Sequence, residues 1–142
     1  MDYSATISTT ASPERAAQAI TDDLEHWWST RIERRAEGFT TRFNNSHATF
    51  EIDPGATPLT FNWICTDAHM IIEDVEDAAE WVGTRLLWQI TPTETGCKIK
   101  LTHEGLGPSL PCFDVCKRGW QHFFENSLRD HLNANTGAPN TT

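Results

Sequence analysis

The residue whose chemistry stands out is His103, in the stretch Leu101-Thr102-His103-Glu104. An imidazole titrates near neutral pH, so it can anchor a ligand's polar group or serve as a general acid or base. Strand alternation places His103 on one face with Cys97, Ile99 and Leu101. A neutral core histidine bonded to a neighbour is therefore the plainer expectation. Asp114 and Glu104 lie near in sequence, but alternation turns Glu104 to the opposite face. No catalytic residue is assigned.

Cys112 and Cys116 lie four apart on an expected helix and so share a face. Buried apolar thiols are the first expectation. A disulfide is disfavoured in a reducing compartment, and Cys-x3-Cys is not a usual zinc-finger spacing. A reactive Cys116 would need a positive neighbour, and Lys117 and Arg118 are expected to splay away. Gly105-Leu106-Gly107-Pro108 lacks the strand–turn–helix context and the lysine of a phosphate loop, and no Gly-x-Ser-x-Gly elbow occurs. Neither metal nor cofactor is expected.

These residues must be positioned by strands and one long helix. Tyr3 to Thr9 alternates with period two and reads as a strand. Ser12-Pro13-Glu14 opens a helix to about Ile20, with Ser12 as cap and Pro13 at the first position. Thr21-Asp22-Asp23 recaps a second short helix, Leu24 to about Ser29, carrying Trp27 and Trp28. Six further strands are expected: Ile32 to Ala36, Phe39 to Asn44, His47 to Ile52, Leu59 to Cys65, Thr84 to Thr91 and Cys97 to Glu104. Gly38, Asn44-Asn45, Asp53-Pro54-Gly55 and Thr95-Gly96 supply the turns. Links of hairpin length imply an antiparallel meander. Asp67 to Gly83 is a longer acidic connection.

The last element is a helix from about Pro111 to Asn135. Its apolar stripe runs through Phe113, Cys116, Trp120, Phe123 or Phe124, Ser127 or Leu128, and Leu132. Such a helix must lie across the concave face of the sheet, which makes the class α+β. Residues 1–135 form a single domain, and 136–142 read as a flexible tail.

Composition narrows the partners. A net charge of -9 disfavours nucleic acid and anionic membrane surfaces. Glu73, Asp74, Glu76, Asp77 and Glu80 read as a solvated loop, or as a docking patch for a basic partner. No run approaches the ~18 apolar residues of a membrane span, and no signal peptide follows Met1, so a cytoplasmic location is expected. Six tryptophans and seven phenylalanines against one tyrosine suit a dry core or an apolar cavity.

Three stretches carry a family resemblance. They are Ser12-Pro13-Glu14 leading to His26-Trp27-Trp28; Glu80-Trp81-Val82-Gly83-Thr84 followed by Ile90-Thr91-Pro92; and Leu101-Thr102-His103-Glu104-Gly105-Leu106 with Cys112 to Cys116, Gly119-Trp120 and Ser127-Leu128. Together they resemble the SRPBCC or START-like superfamily, in the branch related to the C-terminal domain of the activator of heat-shock protein 90 ATPase. The resemblance implies a helix-grip fold whose first helices close one end of a cavity. Superfamily members range from lipid carriers to aromatase/cyclases and chaperone regulators, so fold does not settle function.

The leading expectation is binding of a small hydrophobic or aromatic molecule between sheet and C-terminal helix. Trp28, Phe61, Trp63, Trp88, His103, Cys116 and Trp120 are the expected lining. The alternatives are a chaperone-regulating interaction domain, with a protein partner or a homodimer, and a cyclase-like enzyme using His103.

Overall fold

The computed structural model describes all 142 residues, and its elements follow the punctuation of the sequence. Strand β1 (Tyr3–Thr9) leads into helices α1 (Pro13–Asp22) and α2 (Leu24–Trp27). A meander follows: β2 (Arg31–Arg34), β3 (Gly38–Phe43), β4 (Ser46–Thr57), β5 (Thr60–His69), β6 (Arg85–Pro92) and β7 (Cys97–Glu104). One antiparallel sheet results, in the order β1-β7-β6-β5-β4-β3-β2. The first strand thus closes onto the last, with Tyr3 opposite His103 and Thr9 opposite Cys97.

Local chemistry explains most boundaries. The Ser12 hydroxyl accepts from the Arg15 amide at 3.1 Å and Pro13 occupies the first turn of α1. Asn44, at φ 53°, takes the left-handed conformation that a two-residue hairpin between β3 and β4 requires.

The turn expected at Asp53-Pro54-Gly55 is not there. Strand β4 continues through it, with Asp53 opposite Asn62 and Pro54 opposite Phe61; the register then shifts between Pro54 and Thr57, and the chain reverses between Thr57 and Thr60. The neighbouring β3 has already ended: Gly38 pairs with Glu51, and the Ile52 amide donates to the Glu37 carbonyl. Two residues on, the Pro54 nitrogen points to the same vacated flank, where a missing N–H costs no ladder bond. Gly55 permits a close approach, since a Cβ there would lie 1.8 Å from the Thr60 carbonyl oxygen.

The C-terminal helix also departs from a simple 3.6-residue period. It begins as α3 (Phe113–Trp120), widens into a π-helical stretch (Gln121–Leu128), and ends as α4 (Arg129–Ala134). The wider turn resolves the two ambiguities in the apolar stripe. Phe124 is buried while Phe123 is half-buried, and Ser127 and Leu128 both face inward. Ser127 donates to the Trp27 carbonyl at 2.7 Å and accepts from the Ala138 amide at 2.8 Å.

The tail expected to fray is held by backbone bonds. The Asn140 amide donates to the Trp28 carbonyl, and the Thr30 amide donates to the Asn140 carbonyl. Gly137 passes so close to the His26 carbonyl that a Cβ would meet it at 2.2 Å.

The core lies between the concave face of the sheet and the C-terminal helix, and all six tryptophans are buried in it. Leu86, Trp88 and Ile90 of β6, and Cys97, Ile99, Leu101 and His103 of β7, point inward as alternation requires.

Candidate functional site

The site is built where the sheet and the helix part company. The first half of the C-terminal helix presents Val115, Cys116, Gly119, Trp120 and Phe123 along one side. Opposite stand Phe43, Asn44 and Ser46 of the β3–β4 hairpin, Met70, Ile71 and Ile72 from the start of the β5–β6 connection, and Trp81 from its end. Trp28 forms the floor. These residues line a largely apolar, half-open cavity of about 190 Å³.

The connection is folded back onto the hairpin by specific bonds. The Ile71 amide donates to the Ser46 hydroxyl at 2.9 Å, and the Met70 amide to the Ala78 carbonyl at 2.7 Å. Glu80, read from sequence as part of a solvated acidic run, accepts from the Cys112 amide at 3.1 Å. It thereby satisfies one of the free N–H groups at the start of α3 and ties the connection to the helix.

Of the seven residues expected around the cavity, the structure brings three to it: Trp28, Cys116 and Trp120. Phe61, Trp63, Trp88 and His103 lie apart from it in the packed interior. Trp88 meets Trp27 edge-on at 6.1 Å, Trp63 at 5.0 Å and Phe124 at 5.7 Å between ring centroids. Trp28 stacks on Trp63 at 6.0 Å and tilts against Trp120 at 5.1 Å. Trp28 is thus the ring shared by core and cavity. The indole N–H groups of Trp63 and Trp88 have no hydrogen-bond partner.

Trp81, like Met70, Ile71 and Ile72, is a wall residue that alternation could not find, because it lies in a connection and not on a strand. Its signal in the sequence is a lone large ring beside the acidic run, at Glu80-Trp81-Val82-Gly83. It stacks on Trp120 at 6.0 Å.

His103 sits beneath these rings with both nitrogens occupied. An indole nitrogen only donates, so the Trp120 Nε1–H donates to His103 Nδ1, at 3.0 Å. The proton of the neutral ring is then on Nε2, which donates to Thr84 Oγ1 at 2.9 Å. Thr84 in turn donates to the Trp81 carbonyl at 2.6 Å. Burial drives the His103 pKa down to about 3, against a weak opposing pull from Asp2. No titratable group lies within hydrogen-bond distance of the ring. The imidazole is a neutral link that fixes two walls of the cavity, Trp120 and Trp81, relative to each other.

Cys116 is one of the polar groups on the cavity wall, with Asn44 and Ser46. The Trp81 Nε1–H donates to its Sγ at 3.3 Å. Its pKa is lowered by the neighbouring Cys112 thiol and by the Trp81 bond, against burial and the Glu80 carboxylate. Cys112 is shifted upward by its contact with Cys116, by burial and by the Glu80 carboxylate. All four cysteines are free, and no group of side chains is arranged to hold a metal ion.

A curved antiparallel sheet closed over a long C-terminal helix, with two short helices at one end, is a helix-grip fold. Solved structures share this fold. The Aha1 dimer from Colwellia psychrerythraea, determined in solution, is 24% identical at a TM-score of 0.76, over 96% of this chain and 99% of that one. A protein from Mesorhizobium loti is 16% identical at 0.72, over 97% and 100%. An AHSA1-like protein from Rhizobium etli is 16% identical at 0.65, over 98% and 86%. At these identities the likeness is one of fold. No family model and no curated protein matches the sequence. No helix is long and apolar enough to cross a membrane.

Proposed function

We propose that the protein binds a small hydrophobic or aromatic molecule in the cavity walled by Trp28, Trp81 and Trp120. The observation that carries this reading is the contrast between two regions of one ring-rich interior. Around Trp63 and Trp88 the rings are buried against one another. Around Trp81 and Trp120 they stand back and leave about 190 Å³. An apolar cavity of roughly 150 Å³ is enough to take a benzene-sized guest. Asn44, Ser46 and Cys116 add the few polar groups that orient a ligand in an otherwise apolar site.

Gly119 offers a direct test. It lies on the cavity wall, and a Cβ built there meets nothing within 4 Å. Gly119→Leu therefore has room for its side chain only by filling the site. Titration of the wild type with naphthalene and with indole, followed by tryptophan fluorescence and native mass spectrometry, is expected to give saturable one-to-one binding. The Leu variant is expected to stay folded and to lose it. Absence of binding to the wild type, or equal binding to both proteins, would remove the proposal.

A second reading has its own observation. Ile71 and Val115 are 58% and 42% exposed at the cavity rim, a combination suited to burial against another protein surface. A homodimer through this rim, by analogy with the Colwellia dimer, predicts that Ile71→Asp lowers the mass measured by sedimentation velocity. A wild-type monomer at every concentration tested would dismiss it.

A further inference from the structure

We propose that the outer edge of β1 is a docking site for an extended segment of another protein, which adds to the seven-stranded sheet as a further strand. β1 ends the sheet, with β7 as its only neighbour. The Ile90 amide of β6 donates to the Leu59 carbonyl just before β5. Carried through the paired registers of β6, β7 and β1, that alternation turns the backbone of Tyr3, Ala5, Ile7 and Thr9 toward β7 and that of Ser4, Thr6 and Ser8 outward. The outward amides of Ser4, Thr6 and Ser8 are met by no other group of the protein. The next one, Thr10, is met by Asn133 Oδ1 at 3.2 Å. The two ends of the sheet are protected differently. β2 has four residues, of which Arg31, Glu33 and Arg34 are charged, and the Thr30 amide before it is taken by Asn140 of the tail. β1 has seven residues with no charge, proline or glycine, and so lacks the usual guards of an open edge.

A groove runs beside this edge, apart from the cavity, and the C-terminal helix forms its other wall. It consists of two adjoining hollows that share Gln121 and Glu125. One is bounded by Ala5, Phe113 and Lys117, and the other by Arg129. Alternate side chains of an added strand point into them. An apolar one fits against Ala5 and Phe113, and an uncharged polar one fits between Glu125 and Arg129, whose charges oppose. The helix also argues against a second copy as the occupant. It lies beneath the edge, where Glu125 accepts from the Tyr3 hydroxyl at 2.9 Å and Asn133 from the Thr9 hydroxyl at 2.7 Å. Two copies paired edge to edge would set their helices beneath strands about 4.8 Å apart, whereas packed helices need about 8–10 Å between axes. A lone extended segment brings no helix and meets no such conflict.

The probe is an acetylated and amidated peptide of residues Lys98–His103, the sequence that β1 already pairs with on its inner flank. It is added to the intact protein and followed by NMR titration and amide exchange. In the free protein, exchange should be fast at Ser4, Thr6 and Ser8 and slow at Ala5 and Ile7. The peptide should bind saturably and slow the three outward amides by about tenfold or more. Two versions of it, N-methylated at Ile99 and Leu101 or at Lys100 and Thr102, keep the charge and block opposite edges of the peptide. One should bind and the other should not. Thr6→Pro removes the central outward donor without removing a bond to β7, and should abolish binding. If that variant fails to fold, the methylated pair tests the same bonds on the wild type. No binding, equal binding of the two methylated peptides, unchanged exchange at the three amides, or undiminished binding to folded Thr6→Pro would overturn the proposal. So would protection of those amides that rises with the protein's own concentration, since a second copy would then occupy the edge.

Discussion

His103 shows how one residue can look functional in sequence and turn out to serve architecture. Its two nitrogens link Trp120 to Thr84, and Thr84 links on to the Trp81 backbone. Protonation would place a second donor against the Trp120 N–H inside an apolar interior, which is why burial holds the pKa near 3 against an unfolded value of 6.5. The folded value is the lower one, so the unfolded chain binds the extra proton first. The stability this residue contributes is complete above about pH 6.5 and is lost as pH falls toward 3, at up to about 1.4 kcal/mol per pH unit. In His103→Gln the amide oxygen can still accept from Trp120 and the amide nitrogen can still donate to Thr84, but nothing titrates. Urea unfolding at pH 7, 5.5 and 4 should therefore show a shallower loss of stability in the variant. Parallel curves for the two proteins would assign the acid sensitivity to other groups.

Among the elements, strands β6 and β7 were readable residue by residue, because one face of each is wholly buried and the period is strict. Leu86, Trp88 and Ile90, and Cys97, Ile99, Leu101 and His103, fall where alternation puts them. Two features were not readable for definite reasons. Pro54-Gly55 has turn composition, yet it lies in a strand, at a point where the adjacent β3 stops short and the register with β5 shifts, facts of pairing and not of local sequence. The stretch Gln121–Leu128 winds with a wider turn than the 3.6-residue period by which helices are recognised, so Phe123 and Phe124 could not be told apart. The site suffered most, since the Met70 to Trp81 connection folds back through long-range bonds that no periodicity encodes. Two glycine substitutions probe this level with opposite signs. Gly119 is helical and unobstructed, so Gly119→Ala should stabilise the protein by roughly 0.5–1 kcal/mol. Gly55→Ala drives a methyl against the Thr60 carbonyl and should destabilise it, loosening the β4–β5 turn. Thermal melts of both, with amide exchange at Thr57 and Thr60, check the pair; equal shifts in one direction would contradict the packing described.

Across the whole molecule, the concave sheet and the C-terminal helix enclose two regions with different duties, joined at Trp28. On one side Trp63, Trp88, Phe39, Phe50 and Phe124 are fully buried. On the other, Trp81, Trp120 and Phe123 border an unfilled one. If this division is right, stability and ligand affinity should separate by mutation. Trp88→Ala empties a site whose neighbours are Trp27, Phe61, Trp63 and Phe124, and large-to-small changes of this kind cost about 3–5 kcal/mol. The variant that remains folded should still bind naphthalene, because none of these neighbours lines the cavity. Gly119→Leu should do the reverse, abolishing binding with little loss of stability. Trp28→Phe, at the junction, should affect both. The measurement is denaturant unfolding and a naphthalene titration on all three proteins. A large drop in affinity for folded Trp88→Ala would mean that core and cavity act as one space, and that the ligand reaches the rings beneath Trp28.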